Sequence, residues 1–252
     1  MADGLPRLRV PRVDGAVVEA DSGGGPRWQP ARGQPATLAG VTWARAATLG
    51  PLVLADGSAA ARQATTVRVG WDPAMLYVRF ECADRDAWGT LTRRNDPIYS
   101  EEAVEVFLAP GAGDPRRYFE LEVSPLGTLF AARVHNPTAR RADLVADTSW
   151  DCAGLEWQAE PTGHGQDWRA ALAIPWAGLL DRGAAAGGEP QTVQRGAAGP
   201  PPAAPPPRLW RANFYRIERP RDGAAELSCW SPTLTDPPDF HRPARFGLLE
   251  IG

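Results

Sequence analysis

Apolar and polar residues alternate with a period of two along most of this chain. In TTVRVGWD, Val67 and Val69 flank Arg68. In MLYVRFECAD, Leu76, Val78, Phe80 and Cys82 alternate with Tyr77, Arg79 and Glu81. EAVEVFLAP sets Val104, Val106 and Leu108 against Glu105 and Phe107, and RYFELEVSP sets Phe119, Leu121 and Val123 against Tyr118, Glu120 and Glu122. Trp168, Ala170, Leu172 and Ile174 alternate in the same way with Arg169, Ala171 and Ala173. Successive side chains of a strand point to opposite faces, so each segment predicts a strand with one face toward a core. TLFAARVHN, LEWQAEP, LWRANFYRIE, ELSCW and RFGLLEI are further candidates, and WDPA, SPLG and TGHGQ read as turns between them. About ten strands at hairpin spacing, with only PWAGLL suggesting a helical turn, predict an all-β fold. The expected architecture is an antiparallel β-sandwich of jelly-roll or immunoglobulin-like type, with little helix.

Two segments break the pattern. Residues 1–36 are rich in Gly, Pro and Arg and read as a flexible N-terminal arm, with one edge strand within RLRVPRVDGAVVEA. Residues 182–208, RGAAAGGEPQTVQRGAAGPPPAAPPPR, are of low complexity; Ala, Gly and Pro of this kind bury no core and favour extended backbone. Since strands before and after this run fit one sandwich, it is read as a loop inserted into a single domain spanning 37–252.

Composition narrows the function. The chain has 252 residues with 43% hydrophobic and 23% charged content, and its net charge of -3 points to neither nucleic acid nor an anionic membrane as partner. No apolar run is long enough to span a bilayer. The start, MADGLPRLRVPRV, carries no signal-peptide pattern, which at face value places the protein in the cytoplasm; a trimmed start would fit a secreted or periplasmic protein equally. Every basic residue is Arg, so lysine chemistry is excluded. Cys82, Cys152 and Cys229 lack metal-site spacing, and Cys82 continues the buried face of its strand as a free thiol.

The candidate chemistry centres on NDPIYSEEAVEVFLAP, residues 95–110, which opens a strand with the aromatic Tyr99 and surrounds it with Glu101, Glu102 and Glu105. An aromatic covers the apolar face of a sugar ring, and carboxylates accept bonds from its hydroxyls. No pair of acids at a defined separation marks a glycosidase, and there is no G-x-S-x-G for a hydrolase. Asp84, Asp86 and Asp96 are loop carboxylates that suit calcium, although turn capping explains such residues as well.

The hairpin VRVGWDPAMLYVRFECAD, the strand IYSEEAVEVFL, the segment DWRAALAIPWAGL and the ending WSPTLTDPPDFHRPARFGLLEI, taken in this order, resemble the family 9 carbohydrate-binding modules, a branch of the DOMON-like β-sandwiches. The resemblance runs from about Val41 to Ile251 outside the low-complexity run. It implies a non-catalytic module, an accessory to glycoside hydrolases, that holds a saccharide or a glycan chain end between two aromatic side chains. Those places fall on Tyr99 and Phe240, the hydroxyl-reading glutamate falls on Glu105, and the amide contact maps onto Asn213 or Arg216. The family's arginine on the adjacent strand is replaced by Glu120. His241, beside Phe240, is a further candidate for hydrogen bonding to the ligand. Trp88 or Trp230 is an alternative to either aromatic, whereas Trp71, Trp157, Trp168 and Trp176 follow core patterns. The resemblance also implies structural calcium and no other cofactor. Two other readings stand beside it: a DOMON-like haem domain, for which Met75 is the one non-initiator methionine, and a protein-docking module using PPPAAPPP.

Overall fold

The computed structural model describes residues 4–13, 36–163, 166–180 and 206–252. Among these residues, fourteen strands form two sheets. The larger sheet runs β1 (Arg7–Val10), β14 (Gly247–Ile251), β12 (Leu209–Glu218), β6 (Ala103–Pro110), β7 (Arg117–Val123), β8 (Leu129–His135), β9 (Val145–Asp147). β13 (Glu226–Cys229) joins it along β12, and β3 (Val53–Leu54) joins β13. The smaller sheet runs β10 (Glu156–Pro161), β11 (Trp168–Pro175), β5 (Met75–Cys82), β4 (Thr65–Trp71), β2 (Ala47–Leu49). The expected sandwich is present. Its pairings are antiparallel except one, β1 beside β14. Among the described residues the α-helices are the single turns α1 (Ala36–Ala39) and α2 (Trp176–Leu180), the second within PWAGLL, and short 3-10 turns include Ile98–Ser100, which carries Tyr99.

Alternation fixes which face each strand buries. Val104, Val106 and Leu108 of β6, Leu121 and Val123 of β7, and Trp210, Ala212 and Phe214 of β12 meet Val67, Val78, Phe80, Trp168, Leu172 and Ile174 of the smaller sheet in the inter-sheet core. The hairpin β4–β5 forms because Asp72 closes its turn, its Oδ1 accepting the backbone N–H groups of Ala74 at 2.7 Å and Met75 at 2.8 Å. Trp168 and Trp176 are buried, and Trp71 and Trp157 pack half-buried against the same core. All three cysteines are free and buried. Met75 packs half-buried against a cluster that includes Tyr77, Ala171 and Ala173.

The edge strand expected within RLRVPRVDGAVVEA is present as β1, and the described part of the arm, Gly4–Val13, docks on the sandwich. There Val10 and Val13 are fully buried, and β1 extends the larger sheet through its register with Leu248, Leu249, Glu250 and Ile251. Two short apolar side chains were enough to dock the edge, although they are too few to register as a periodic pattern. Residues 14–35 and the run 182–205 lie outside the described residues. The strands flanking that run, β11 and β12, sit in different sheets of the same sandwich. β2, β3 and β9 are two or three residues long, too short for a period-two pattern to reveal.

Candidate ligand cavity

The larger sheet has a second buried face. On its outer side Phe107, Tyr118, Phe130 and Tyr215 gather with Phe240 and Phe246, which come from the connection between β13 and β14. That connection can lie flat because Gly247, at the start of β14, has no side chain: a Cβ there would stand 2.4 Å from the Trp230 ring. Phe107 is the hub, with ring centroids 5.6 Å from Tyr118, 4.9 Å from Tyr215 and 5.9 Å from Phe246.

Between sheet and connection lies a cavity of about 690 Å³. Five of the side chains singled out from the sequence line it: Tyr99, Glu105, Glu120, Phe240 and His241. Tyr99 is 46% exposed and meets Phe130 edge-on at 5.6 Å. Phe240 is 6% exposed and stacks on Tyr215 at 4.2 Å. One aromatic wall is therefore open to solvent and the other is anchored in the fold.

Three glutamates crowd the sheet side of this region. Glu105 stands directly across from Glu122, and Glu120 lies two residues from Glu122 on the same face, across from Phe107. All three are buried, and they present oxygens within 4.8 Å of one another. Taking them out of water and placing like charges together both penalise ionisation. Burial, then the neighbouring Glu120 charge, pushes Glu105 well above the ordinary carboxylate range; burial, then Glu105 and Glu120, does the same to Glu122. Glu120 is pushed up to about 7, chiefly by burial.

His241 hydrogen-bonds through Nδ1 to the Tyr118 hydroxyl at 2.8 Å and turns Nε2 toward Glu120 at 3.9 Å. Burial, together with the nearby Arg141, lowers its pKa to about 4, so at neutral pH it is uncharged and its approach to Glu120 is not an ion pair. Arg141 and Asp239 close one side of the cavity with a 3.3 Å ion pair.

Asn213 and Arg216 do not reach the cavity. Asn213 sits on the correct face, but its side chain ties down the chain after β13: Nδ2 donates to the Ser231 carbonyl at 2.8 Å and Oδ1 accepts the Ser231 N–H at 2.9 Å. Arg216 alternates to the opposite face, between the sheets. There its guanidinium, fully buried, donates to Asp84 at 2.6 Å, to the Ala83 carbonyl at 2.7 Å and to Thr65 at 3.1 Å. Trp88 and Trp230 do not line the cavity either; Trp88 donates to the Arg219 carbonyl and Trp230 packs on Phe214.

Asp84 and Asp86 come together with Glu102 and Glu218 as a second carboxylate group, at the edge of the inter-sheet space. Glu102 is fully buried with no hydrogen-bond donor at either oxygen, and burial and the adjoining Asp84 push it up to about 8 against the pull of Arg216. Asp96 is not in this group. It caps its own turn, accepting the Arg93 N–H at 2.9 Å. Glu101 goes elsewhere again: burial alone would raise its pKa, but bonds from the Thr90 hydroxyl and the backbone of Thr90 and Leu91 outweigh that and hold it below its ordinary value.

Sequence reasoning did not single out Glu122, Arg141 or Asp239. Glu122 was detectable, because it shares the face of Glu120 two residues on. Arg141 and Asp239 stand in connections where no period places them.

No protein-family model matches this chain. Over 81 residues it is 35% identical to an "Extracellular protein" of Arthroderma benhamiae; the match covers 31% of this chain and spans about a third of that relative's length (36%). A candidate carbohydrate-binding protein of Bacteroides uniformis superposes with a TM-score of 0.58 at 16% identity, over 82% of this chain and 87% of that one. A family 9 carbohydrate-binding module of Caldicellulosiruptor kristjanssonii in complex with cellotriose superposes with a TM-score of 0.53 at 12% identity, over 98% and 93% of the two chains. A family 9 module of Caldicellulosiruptor kristjanssonii in complex with glucose gives 0.52 at 14% identity, over 98% and 96% of the two chains. The two-sheet architecture of this chain is therefore the family 9 carbohydrate-binding-module fold.

Proposed function

We propose that this protein is a non-catalytic carbohydrate-binding module whose outer-sheet cavity takes a saccharide. The observation that carries the reading is the convergence of Tyr99, Glu105, Glu120, Phe240 and His241 on one cavity. Two aromatic rings offer apolar surface to a pyranose, and the glutamates offer hydrogen-bonding oxygens to its hydroxyls. The fold shared with modules seen bound to cellotriose and glucose supports the same reading. A glycosidase needs two carboxyl groups flanking its scissile bond, whereas these three crowd together on one wall. Mono- and oligosaccharides are expected to raise the melting temperature of the wild-type protein and to have a clearly smaller effect on Tyr99→Ala. A saturating ligand at a hundred times its Kd stabilises by about 2.7 kcal/mol, enough for a clear shift. No shift with any sugar on well-folded protein would defeat the reading.

Structural calcium, the metal implied by the family resemblance, fits the second carboxylate group. Asp86, Glu102 and Glu218 supply hard oxygens there, and both Glu102 oxygens are without a donor. Chelation is expected to lower the melting temperature of wild-type protein and to leave Glu102→Gln unmoved.

A further inference from the structure

The cavity has an electrostatic property that binding of a neutral sugar leaves unused. Glu105, Glu120 and Glu122 are 2%, 5% and 0% exposed, and no donor reaches either oxygen of Glu122. The Glu120 carboxylate lies beside it, and one of that pair would have to carry a proton for them to bond. Three arginines line the cavity, Arg141, Arg219 and Arg242, and none forms a hydrogen bond or ion pair with any of the three glutamates. Arg141 is engaged by Asp239, and His241 is neutral.

Buried carboxylates with no partner are costly, and two things relieve them: uptake of protons or a cation from outside. Glu105 and Glu120 open onto the cavity, so an outside cation has a route to them, and the fully buried Glu122 has an oxygen within 4.8 Å of theirs. The rest of the cavity selects the kind of cation. A bare metal ion would leave Tyr99, Phe130 and Phe240 idle and fill a small part of about 690 Å³. A protonated primary amine carries three N–H donors, one for each carboxylate, and an amine on a pyranose brings an apolar ring face for the aromatics.

We infer that the cavity is selective for a saccharide bearing a free amine, with the ammonium group held by Glu105, Glu120 and Glu122 and the ring covered by Tyr99 and Phe240. This rests on the carbohydrate reading above and names the class of sugar. It also gives Glu120 a role: a carboxylate there attracts a positive ligand group.

The test is calorimetric titration at about pH 7, where an amine with a pKa of about 8 is still mostly protonated and Glu120 begins to ionise, with glucosamine, glucose, N-acetylglucosamine and calcium chloride as separate ligands. Glucosamine is expected to bind at least about tenfold tighter than the two neutral sugars, a difference of ~1.4 kcal/mol. Glu122→Gln is expected to reduce that preference to less than about threefold while leaving the weaker affinity for neutral sugar. The preference within the wild-type protein decides the matter even where a variant fails to fold. Equal binding of all three sugars would overturn the amine inference and leave the carbohydrate reading standing. Binding of no sugar would overturn both. A calcium signal abolished by Glu122→Gln, without glucosamine binding, would overturn the inference by making the triad a metal site.

Discussion

β6 passes between two groups of buried acids, and the two are resolved differently. On its inner face Glu102 joins Asp84, Asp86 and Glu218, and the fold places Arg216 among them as a built-in cation, 2.6 Å from Asp84. On its outer face Glu105 joins Glu120 and Glu122, with no cation in contact and a cavity above. The inner arrangement bonds one sheet to the other: Arg216 of the larger sheet reaches Thr65 and Ala83 at the ends of two strands of the smaller one. The outer arrangement bonds nothing together. Asp84 carries its partner within the fold, whereas Glu102 on the inner side and the outer acids leave theirs to be supplied.

This contrast is tested most severely by removing the internal cation. Arg216→Met is expected to destabilise by roughly 3–5 kcal/mol, because it leaves Asp84 buried and uncompensated. Urea unfolding would show this, and adding Asp84→Asn should recover part of the loss. A near-neutral Arg216→Met would remove the distinction between the two groups.

The next effect concerns the anchored aromatic. Phe240→Ala should cost about 3 kcal/mol, the low end for a buried ring, since it strips the stacked cover from Tyr215. A loss under about 1 kcal/mol would show the cavity roof to be dispensable to the fold.

Smaller, and opposite in sign, is the effect of neutralising an outer acid. With its pKa raised from 4.5 to about 7, folded Glu120 holds its proton more tightly than the unfolded chain does. Its contribution is therefore fully present below about pH 4.5 and is lost as the pH rises through about 7. Glu120→Gln removes that dependence. The variant should gain on wild type between those pH values and exceed it at pH 8 by on the order of 1 kcal/mol. A pH-independent difference between the two melting curves would mean that Glu120 carries no raised carboxyl.

Smallest for stability is Tyr99→Ala, expected within about 0.5 kcal/mol because the ring is 46% exposed, yet it should weaken sugar binding about tenfold. A change that moves stability and binding together would make Tyr99 part of the fold.

The stretch that carries most of the chemistry shows what a sequence conveys. Alternation in EAVEVFLAP placed Val104 and Val106 on one face and Glu105 on the other, and the structure has them so. Period two is a local property of the backbone, readable wherever a strand is long enough. The same rule separated Asn213 from Arg216, since residues an odd number apart in a strand lie on opposite faces, though the motif resemblance brought both to the ligand. It also put Glu120 and Glu122 on one side of β7. What alternation could not tell is that this outer side is buried. The cover comes from the connection after β13, more than a hundred residues away from Glu105, and its path depends on Gly247 slipping beneath Trp230. Nor did the sequence divide Glu101, Glu102 and Glu105 among a loop, an inter-sheet group and a cavity. Strand direction, fold type and the candidate residues were local or patterned quantities, set by the chain itself. The burial of the acids, the partners they find and the ones they lack belong to the packing of distant segments, and only the tertiary structure decided them.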